Sequence, residues 1–343
     1  MVKFDVVVGN PPYQEDNGSE TSNYAKSIYP NFMDSAYSIS YKSLLITPGR
    51  FLFNAGSHKT WNDKMLTDEH LKVVDYWSDS RHVFSNIDIK GGIAITYRDE
   101  DEKFDPIGSF IPYAEIKSTL DKVDAFGGDS MMQIVYSQSG YRLSDLVFKK
   151  YKGIKSVEDR RIDTRLESNV LTKVPELFQS SNDQNNELFV PILGAIRNKR
   201  LYKWINKSYI TYPDNFEMYK VIIPSANGAG DFGERISQPL IGEPMTGHTR
   251  TFMSIGSFAN KQEADNCLKY ISCKFSRSLL GILKVTQNTS PANWEHVPLQ
   301  DFTKDSDIDW SKSIAEIDQQ LYEKYGLSED EIEFIETHVK EMD

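Results

Sequence analysis

Cysteine is almost missing from this chain of 343 residues: Cys267 and Cys273 are the only two, six apart on a helical pattern and in no metal-binding spacing. That scarcity excludes a disulfide-stapled secreted scaffold and leaves two reduced core thiols, as expected in the cytoplasm. Long hydrophobic runs are missing too. No stretch approaches the ~20 apolar residues of a membrane span, and the short apolar run near the start leads into prolines, unlike a signal peptide. Nor is there an overall positive charge, since 50 Asp and Glu outweigh 39 Lys and Arg for a net −11. The excess acid has a location. Residues 301–343 hold 14 acidic and 4 basic side chains, a balance of −10, which leaves residues 1–300 at −1. Residues 141–207 hold 14 basic and 8 acidic side chains, a balance of +6. The middle of the chain therefore keeps a basic surface that a polyanion could use, although most charge runs are only solvated faces.

What is present is concentrated in Phe4-Asp5-Val6-Val7-Val8-Gly9-Asn10-Pro11-Pro12-Tyr13. The β-branched run predicts a buried strand at the centre of a parallel sheet. Two prolines then fix φ, remove two backbone donors and bar Asn10 from helical geometry. The outcome is a stiff loop at the carboxyl end of a strand, where open α/β sheets bind ligands. It offers a side-chain amide, free carbonyls and an aromatic ring, a set suited to gripping an exocyclic amino group while stacking on its base.

These residues resemble the catalytic motif of the adenine-specific (N6) DNA methyltransferases of bacterial restriction-modification systems, Asn-Pro-Pro-Tyr/Phe behind a strand of the form Phe-Asp-x-Val-x-Gly. Asp5, Gly9, Asn10, Pro11, Pro12 and Tyr13 all match. The resemblance implies S-adenosylmethionine as methyl donor, double-stranded DNA as partner and a flipped adenine as the reacting base. Asn10 and the Pro11 carbonyl would accept from the adenine amino group, with Asn10 also bordering the cofactor. The order is of the gamma type: after the motif come a helix, a strand ending in proline, a helix and a closing hairpin. An aromatic residue before the last strand stacks on the opposite face of the base. Val83-Phe84 ahead of Ile93–Ile95 holds that position, so Phe84 is the implied partner of Tyr13; as a residue alone it fits a core phenylalanine equally well.

Periodicity agrees with that order. Residues 24–41 predict a helix, Ser43–Pro48 a second buried strand, 58–71 a helix, and Val73–Trp77 and Gly92–Tyr97 strands. Asp99–Asp105 is a charged connector. Asn260-x-x-Glu263 predicts a cap opening one long helix with apolar Ala264, Leu268, Ile271, Phe275 and Ile282. Thr249–Phe302 resembles the target-recognition domains of the same enzymes, with its Ser-Ile-Gly-Ser-Phe strand, this helix and Trp294-Glu-His-Val-Pro298. Two capped helices close the chain, one from about Trp310 to Tyr325 stopped by Gly326 and one opened by Ser328-x-x-Glu331.

The expected fold is α/β: the C-terminal half of a Rossmann-like methyltransferase sheet over residues 1–125, a mixed α+β target-recognition domain over 126–302 and an acidic helical tail over 303–343. The family's glycine loop and acidic cofactor residue lie upstream of Asn-Pro-Pro-Tyr, and only nine residues precede Asn10. The expectation is thus a missing cofactor-binding lobe, supplied by a longer parent protein or a partner subunit, or a specificity module that no longer methylates. Gly228-Ala-Gly230-Asp-Phe-Gly233 fits G-x-G-x-x-G, but Pro239, Gly242 and Pro244 break the helix that motif requires, so a DNA-facing loop is the better reading. Phosphate contacts are expected from Arg160, Arg161, Arg165, Arg197, Lys199, Arg200, Lys203 and Lys207. Base-edge contacts are expected around Asn227, His248, Thr249, Arg250, Thr286, Gln287 and Asn288. Neither cysteine follows a proline, which excludes cytosine carbon-5 methylation, and no endonuclease carboxylate-lysine cluster stands out.

Overall fold

The computed structural model describes residues 3–15, 26–56, 58–85, 89–151, 154, 164–182 and 186–342. It is a mixed α/β structure with several sheets. The chain divides into two compact units, Met1–Lys117 with Ala229–Asp231, and Ser118–Gly228 with Phe232–Asp343.

The first unit runs β1 (Phe4–Gly9), α1 (Tyr29–Ile39), β2 (Ser40–Pro48), α2 (Lys59–Leu66), β3 (Leu71–Trp77) and β4 (Ile93–Asp99). Its sheet has the order β1-β2-β4-β3. β1 lies parallel to β2 in the register Val6–Lys42 and Val8–Leu44, whereas β4 is antiparallel to both its neighbours. α1 buries Tyr29, Pro30, Met33 and Ala36, a stripe at helical spacing. On β2, Ser43, Leu45 and Thr47 are buried while Leu44 and Ile46 are only half-buried. The turn into β4 needs glycine at 92, where φ is +69° and a Cβ would lie 2.3 Å from the Trp77 carbonyl oxygen.

Two expectations need correction here. β1 is no central strand: it is the sheet edge, with Phe4 63%, Val6 52% and Val8 70% exposed on one face. Its β-branched composition reports strand preference, and among the described residues Val6 and Val8 stay exposed. The helix expected over 58–71 stops at Leu66, because the Thr67 hydroxyl donates back to the Asp63 carbonyl and Asp68 turns the chain by accepting from the His70 backbone N–H.

The second unit follows α3 (Ala114–Phe126) with β5 (Val135–Tyr136), β6 (Arg142–Leu143), α4 (Asp145–Lys150), α5 (Val170–Lys173), β7 (Phe178–Gln179), β8 (Phe189–Ile196), β9 (Lys199–Asn206) and β10 (Ile210–Thr211). Then come β11 (Tyr219–Pro224), β12 (Leu240–Gly242), β13 (Gly247–His248), β14 (Phe252–Phe258), α6 (Lys261–Ser272), α7 (Lys274–Leu283), α8 (Ile314–Tyr325) and α9 (Glu329–His338). Two four-stranded sheets, β12-β11-β14-β5 and β13-β8-β9-β7, form its body. Leu193, Ile222 and Phe252 join them in one apolar cluster.

Asn260 caps α6 by accepting from Glu263, and Ser313 with Glu316 and Ser328 with Glu331 form reciprocal capping boxes on α8 and α9. The expected single helix from Asn260 to Ile282 is two helices. The backbone is extended at Cys273 (φ −60°, ψ 145°), and α7 restarts there. Its apolar pattern continues across the break, so periodicity does not reveal it. Cys267 and Cys273 are buried unpaired thiols. Among the described residues no helix is long and apolar enough to cross a membrane.

Candidate active site and nucleic-acid interface

β1 delivers the loop Asn10–Tyr13 at its carboxyl end, with Asn10 and Pro12 exposed and Pro11 and Tyr13 half-buried. The loop is pinned to the start of α1: the Tyr13 carbonyl accepts from Ile28 at 3.1 Å, and Glu15 donates to the Lys26 carbonyl at 3.0 Å. Neither proline has an N–H to satisfy, so the loop needs no backbone partner at those positions.

Phe84 arrives from the other side of the sheet's carboxyl end on a tight turn. Asp79 accepts from the Arg81 backbone N–H at 3.0 Å, and Phe84 donates to the Ser80 carbonyl at 2.8 Å. The Arg81 guanidinium and backbone hold the Asp79 carboxyl far below its ordinary range, so the cap stays ionised. The rings of Tyr13 and Phe84 meet edge to face, centroids 6.4 Å apart at an interplanar angle of 69°. Rings stacked on both faces of a base would lie parallel and farther apart. The pair is therefore closed on itself here, and one ring must turn to admit a base. Burial pushes the Tyr13 phenol up to about 12, and its hydroxyl has no hydrogen-bond partner among the described residues.

In the second unit the basic candidates separate by what already holds them. Arg250 is bound to both carboxylate oxygens of Glu167, at 3.0 and 2.9 Å. Arg165 shares that carboxylate at 3.2 Å. Arg200 donates to the carbonyls of Ser237 and Gln238 and lies over the Phe252 ring at 5.3 Å. Lys203 donates to the Ser180 hydroxyl, and Lys207 pairs with Glu217 at 2.8 Å. Arg197 and Lys199 are exposed in the turn between β8 and β9, close together at its tip. Arg160 and Arg161 lie outside the described residues.

Three of the expected base readers are buried instead. His248 is 1% and Thr249 0% exposed. Burial drives the His248 imidazole down to about 4, so it is neutral and enclosed. Asn227 donates to the Arg235 carbonyl and accepts from the Ser237 N–H, which makes it a loop clamp. Their polarity signalled a surface role, but polarity does not report burial. Gln287 and Asn288 remain exposed, and Thr286 is half-buried.

The glycine loop 228–233 follows β11, which is antiparallel to both β12 and β14, and leads to β12 with no helix between. That is not the strand-turn-helix of a dinucleotide site. Gly228 (φ +61°) permits the close approach of Glu234, whose carboxylate would sit 1.9 Å from a Cβ there. Glu234 in turn pairs with buried Lys284. The left-handed turn at Arg197 and Asn198 was also missed; its one local signal was an asparagine between two alternating apolar runs.

Residues 1–84 match the model of the Eco57I restriction-modification methylase family. Over 96 residues the chain is 36% identical to a protein of Mycoplasma pneumoniae described as an uncharacterized adenine-specific methylase, a stretch that makes up 27% of this chain and 23% of that protein. Among solved structures, the Type IIL restriction-modification enzyme MmeI in complex with DNA aligns over 97% of this chain and 56% of its own, at 11% identity and a TM-score of 0.42. The type IIG restriction endonuclease BpuSI aligns over 91% and 48%, at 10% identity and a TM-score of 0.31. The chain thus spans about a quarter of that curated relative and about half of each of these structures.

Proposed function

We propose that this chain, whose residues 1–84 match the Eco57I restriction-modification methylase family, supplies the base-gripping half of a site-specific DNA adenine-N6 methyltransferase. In this reading residues 1–125 are part of a Rossmann-like sheet, 126–302 recognise the target sequence, and 303–343 are an acidic helical extension. The observation that carries it is the placement of exposed Asn10 and Pro12 beside the edge-to-face rings of Tyr13 and Phe84.

The chemistry follows from those groups. An adenine within a duplex hides its amino nitrogen and must be swung out. Its amino lone pair is delocalised into the ring, which makes it a weak nucleophile. The Asn10 side-chain oxygen and the Pro11 carbonyl are two acceptors for its two N–H groups, and together they favour the tetrahedral nitrogen that frees the lone pair. Tyr13 and Phe84 hold the ring by stacking, worth roughly 1–3 kcal/mol per base. No acid-base dyad is required.

S-adenosylmethionine is the methyl donor the family implies. The residues described here do not complete its pocket: at the carboxyl end of β1 they provide Asn10 and loop carbonyls, and among the described residues no strand pairs with the outer edge of β1. This chain supplies the grip, and a cofactor lobe lying against β1 supplies the donor site. Titration of S-adenosylmethionine against the chain alone is expected to show no saturable binding, and tight binding would overturn the two-lobe reading. In the enzyme assembled with that lobe, Asn10→Ala should abolish methylation while leaving duplex binding intact; retained methylation would sink the role of the loop.

A second reading, a DNA-specificity module that no longer methylates, draws support from the same open edge of β1. It predicts duplex binding with no methylation under any lobe complement.

A further inference from the structure

We propose that the tip of the β8–β9 hairpin is a major-groove reading ribbon in which Arg197 donates to a guanine. This deepens the reading above and rests on duplex DNA being the partner. The hairpin pairs without interruption from Phe189–Asn206 to Ile196–Lys199. β7 flanks it only at Ile205 and Trp204, and β13 only at Ile192 and Leu193. The last three pairs, Gly194–Leu201, Ala195–Arg200 and Ile196–Lys199, have no third strand beside them among the described residues. A two-stranded ribbon is one of the two elements that the major groove admits. Gly194 is buried against Leu171, and Ile196 and Leu201 pack on the core, so the exposed part of the ribbon is its tip, Arg197 to Lys199, and the long side chains there supply the reach into a groove.

The turn itself carries the second argument. Arg197 and Asn198 are both left-handed, with φ of 49° and 62°. Asparagine tolerates that region, but arginine pays for it in contact between Cβ and the following carbonyl. A turn required only to close the hairpin would do better with glycine at 197. The chain keeps a guanidinium there instead, exposed and engaged by no hydrogen bond or ion pair among the described residues. The stalk is fixed: Arg200 is tied to the carbonyls of Ser237 and Gln238, so the tip is held by the body of the unit. A planar fork of donors on a rigid ribbon matches the O6 and N7 acceptors of guanine. Lys199, exposed beside it, suits a phosphate.

The test is selection of the full chain against a duplex library with a randomised centre, repeated with Arg197→Gly and Lys199→Ala. The wild-type chain should enrich a motif containing a fixed G·C pair. Arg197→Gly should enrich the same motif with that one pair degenerate and bind the original site about tenfold to a hundredfold more weakly. Its unfolding midpoint should hold or rise, because the strained residue is gone. Lys199→Ala should weaken all sites alike, with a shallower salt dependence and an unchanged motif. An Arg197→Gly motif identical to the wild type, a uniform loss like that of Lys199→Ala, or a lowered midpoint would overturn the assignment of the tip alone. A wild-type chain that enriches no motif would overturn both the tip and the DNA-binding reading beneath it.

Discussion

The carboxylate of Asp318 accepts from the backbone N–H of Phe275 at 2.8 Å, and its other oxygen accepts from Lys274 at 2.9 Å. A side chain of α8 therefore caps the start of α7, an element more than forty residues earlier. The cap is what makes the extended Cys273 tolerable, since the first N–H groups of a helix have no partner within it. It lies deep, with Asp318 only 2% exposed.

Burial pushes the Asp318 carboxyl up from 3.8 to about 6. The folded value lies above the unfolded one, so the stabilisation tied to proton uptake is full below about 3.8 and is lost as pH rises through about 6. Asp318→Asn keeps an acceptor and removes the titration. The wild type should gain about 1 kcal/mol relative to that variant between pH 7 and pH 5, read from paired unfolding curves. A difference that stays flat would show that the carboxyl does not carry this shift. Asp318→Ala, which leaves the Lys274 and Phe275 N–H groups without their acceptor, should cost about 2 kcal/mol at pH 7 and about 1 kcal/mol more at pH 5.

Lys284 and Glu234 form an ion pair with side chains 4% and 10% exposed, and Lys284 also donates to the Asn227 and Thr286 carbonyls. Removing one member strands the other, so Glu234→Ala should destabilise by about 3 kcal/mol. Replacing both by apolar residues of similar volume, Glu234→Leu with Lys284→Met, should recover most of that loss in a chemical denaturation series. A double variant no better than the single one would mean the carbonyls, and not the carboxylate, govern the site.

Tyr13→Phe removes a hydroxyl that is buried without a partner among the described residues. The midpoint of thermal unfolding should stay level or rise, by up to about 1 kcal/mol in stability. Tyr13→Ala should instead lose the ring contact with Phe84 and, in the assembled enzyme, the stacking on the flipped base. A fluorescent adenine analogue at the target position would then report a base that is extruded but poorly held. An unchanged signal in Tyr13→Ala would remove that ring from the grip.

On β1, Val6→Lys and Val8→Lys place charges on an edge that is already exposed. Neither should cost the isolated chain measurable stability, and both should lower its tendency to self-associate in light scattering. The same changes should block assembly with a cofactor lobe. Assembly that survives both would mean the lobe does not approach along this strand.

Much of the fold was legible because its cues are local. Asn260, Ser313 and Ser328 with their acidic partners mark three helix starts, and Gly326 (φ +64°) marks a stop. The strand and loop around Asn10 could be read from β-branching and two prolines. What escaped was non-local. Whether Val6 faces a core or solvent depends on what lies beside β1, the break at Cys273 depends on Asp318, and the enclosure of His248 depends on the sheets around it. The sequence listed basic residues without saying which were taken, and only the fold separates Arg250, held by Glu167, from Arg197.

The free end of the β8–β9 ribbon has a consequence for how such a chain can change over generations. Ile196 packs on the core, but Arg197, Asn198 and Lys199 are exposed, so those three side chains are constrained by little beyond the turn. Substitutions there spend almost none of the molecule's stability. If the tip reads DNA as proposed, recognition can drift there while the core stays under selection for folding, and a lineage could acquire new targets without first acquiring a more robust scaffold.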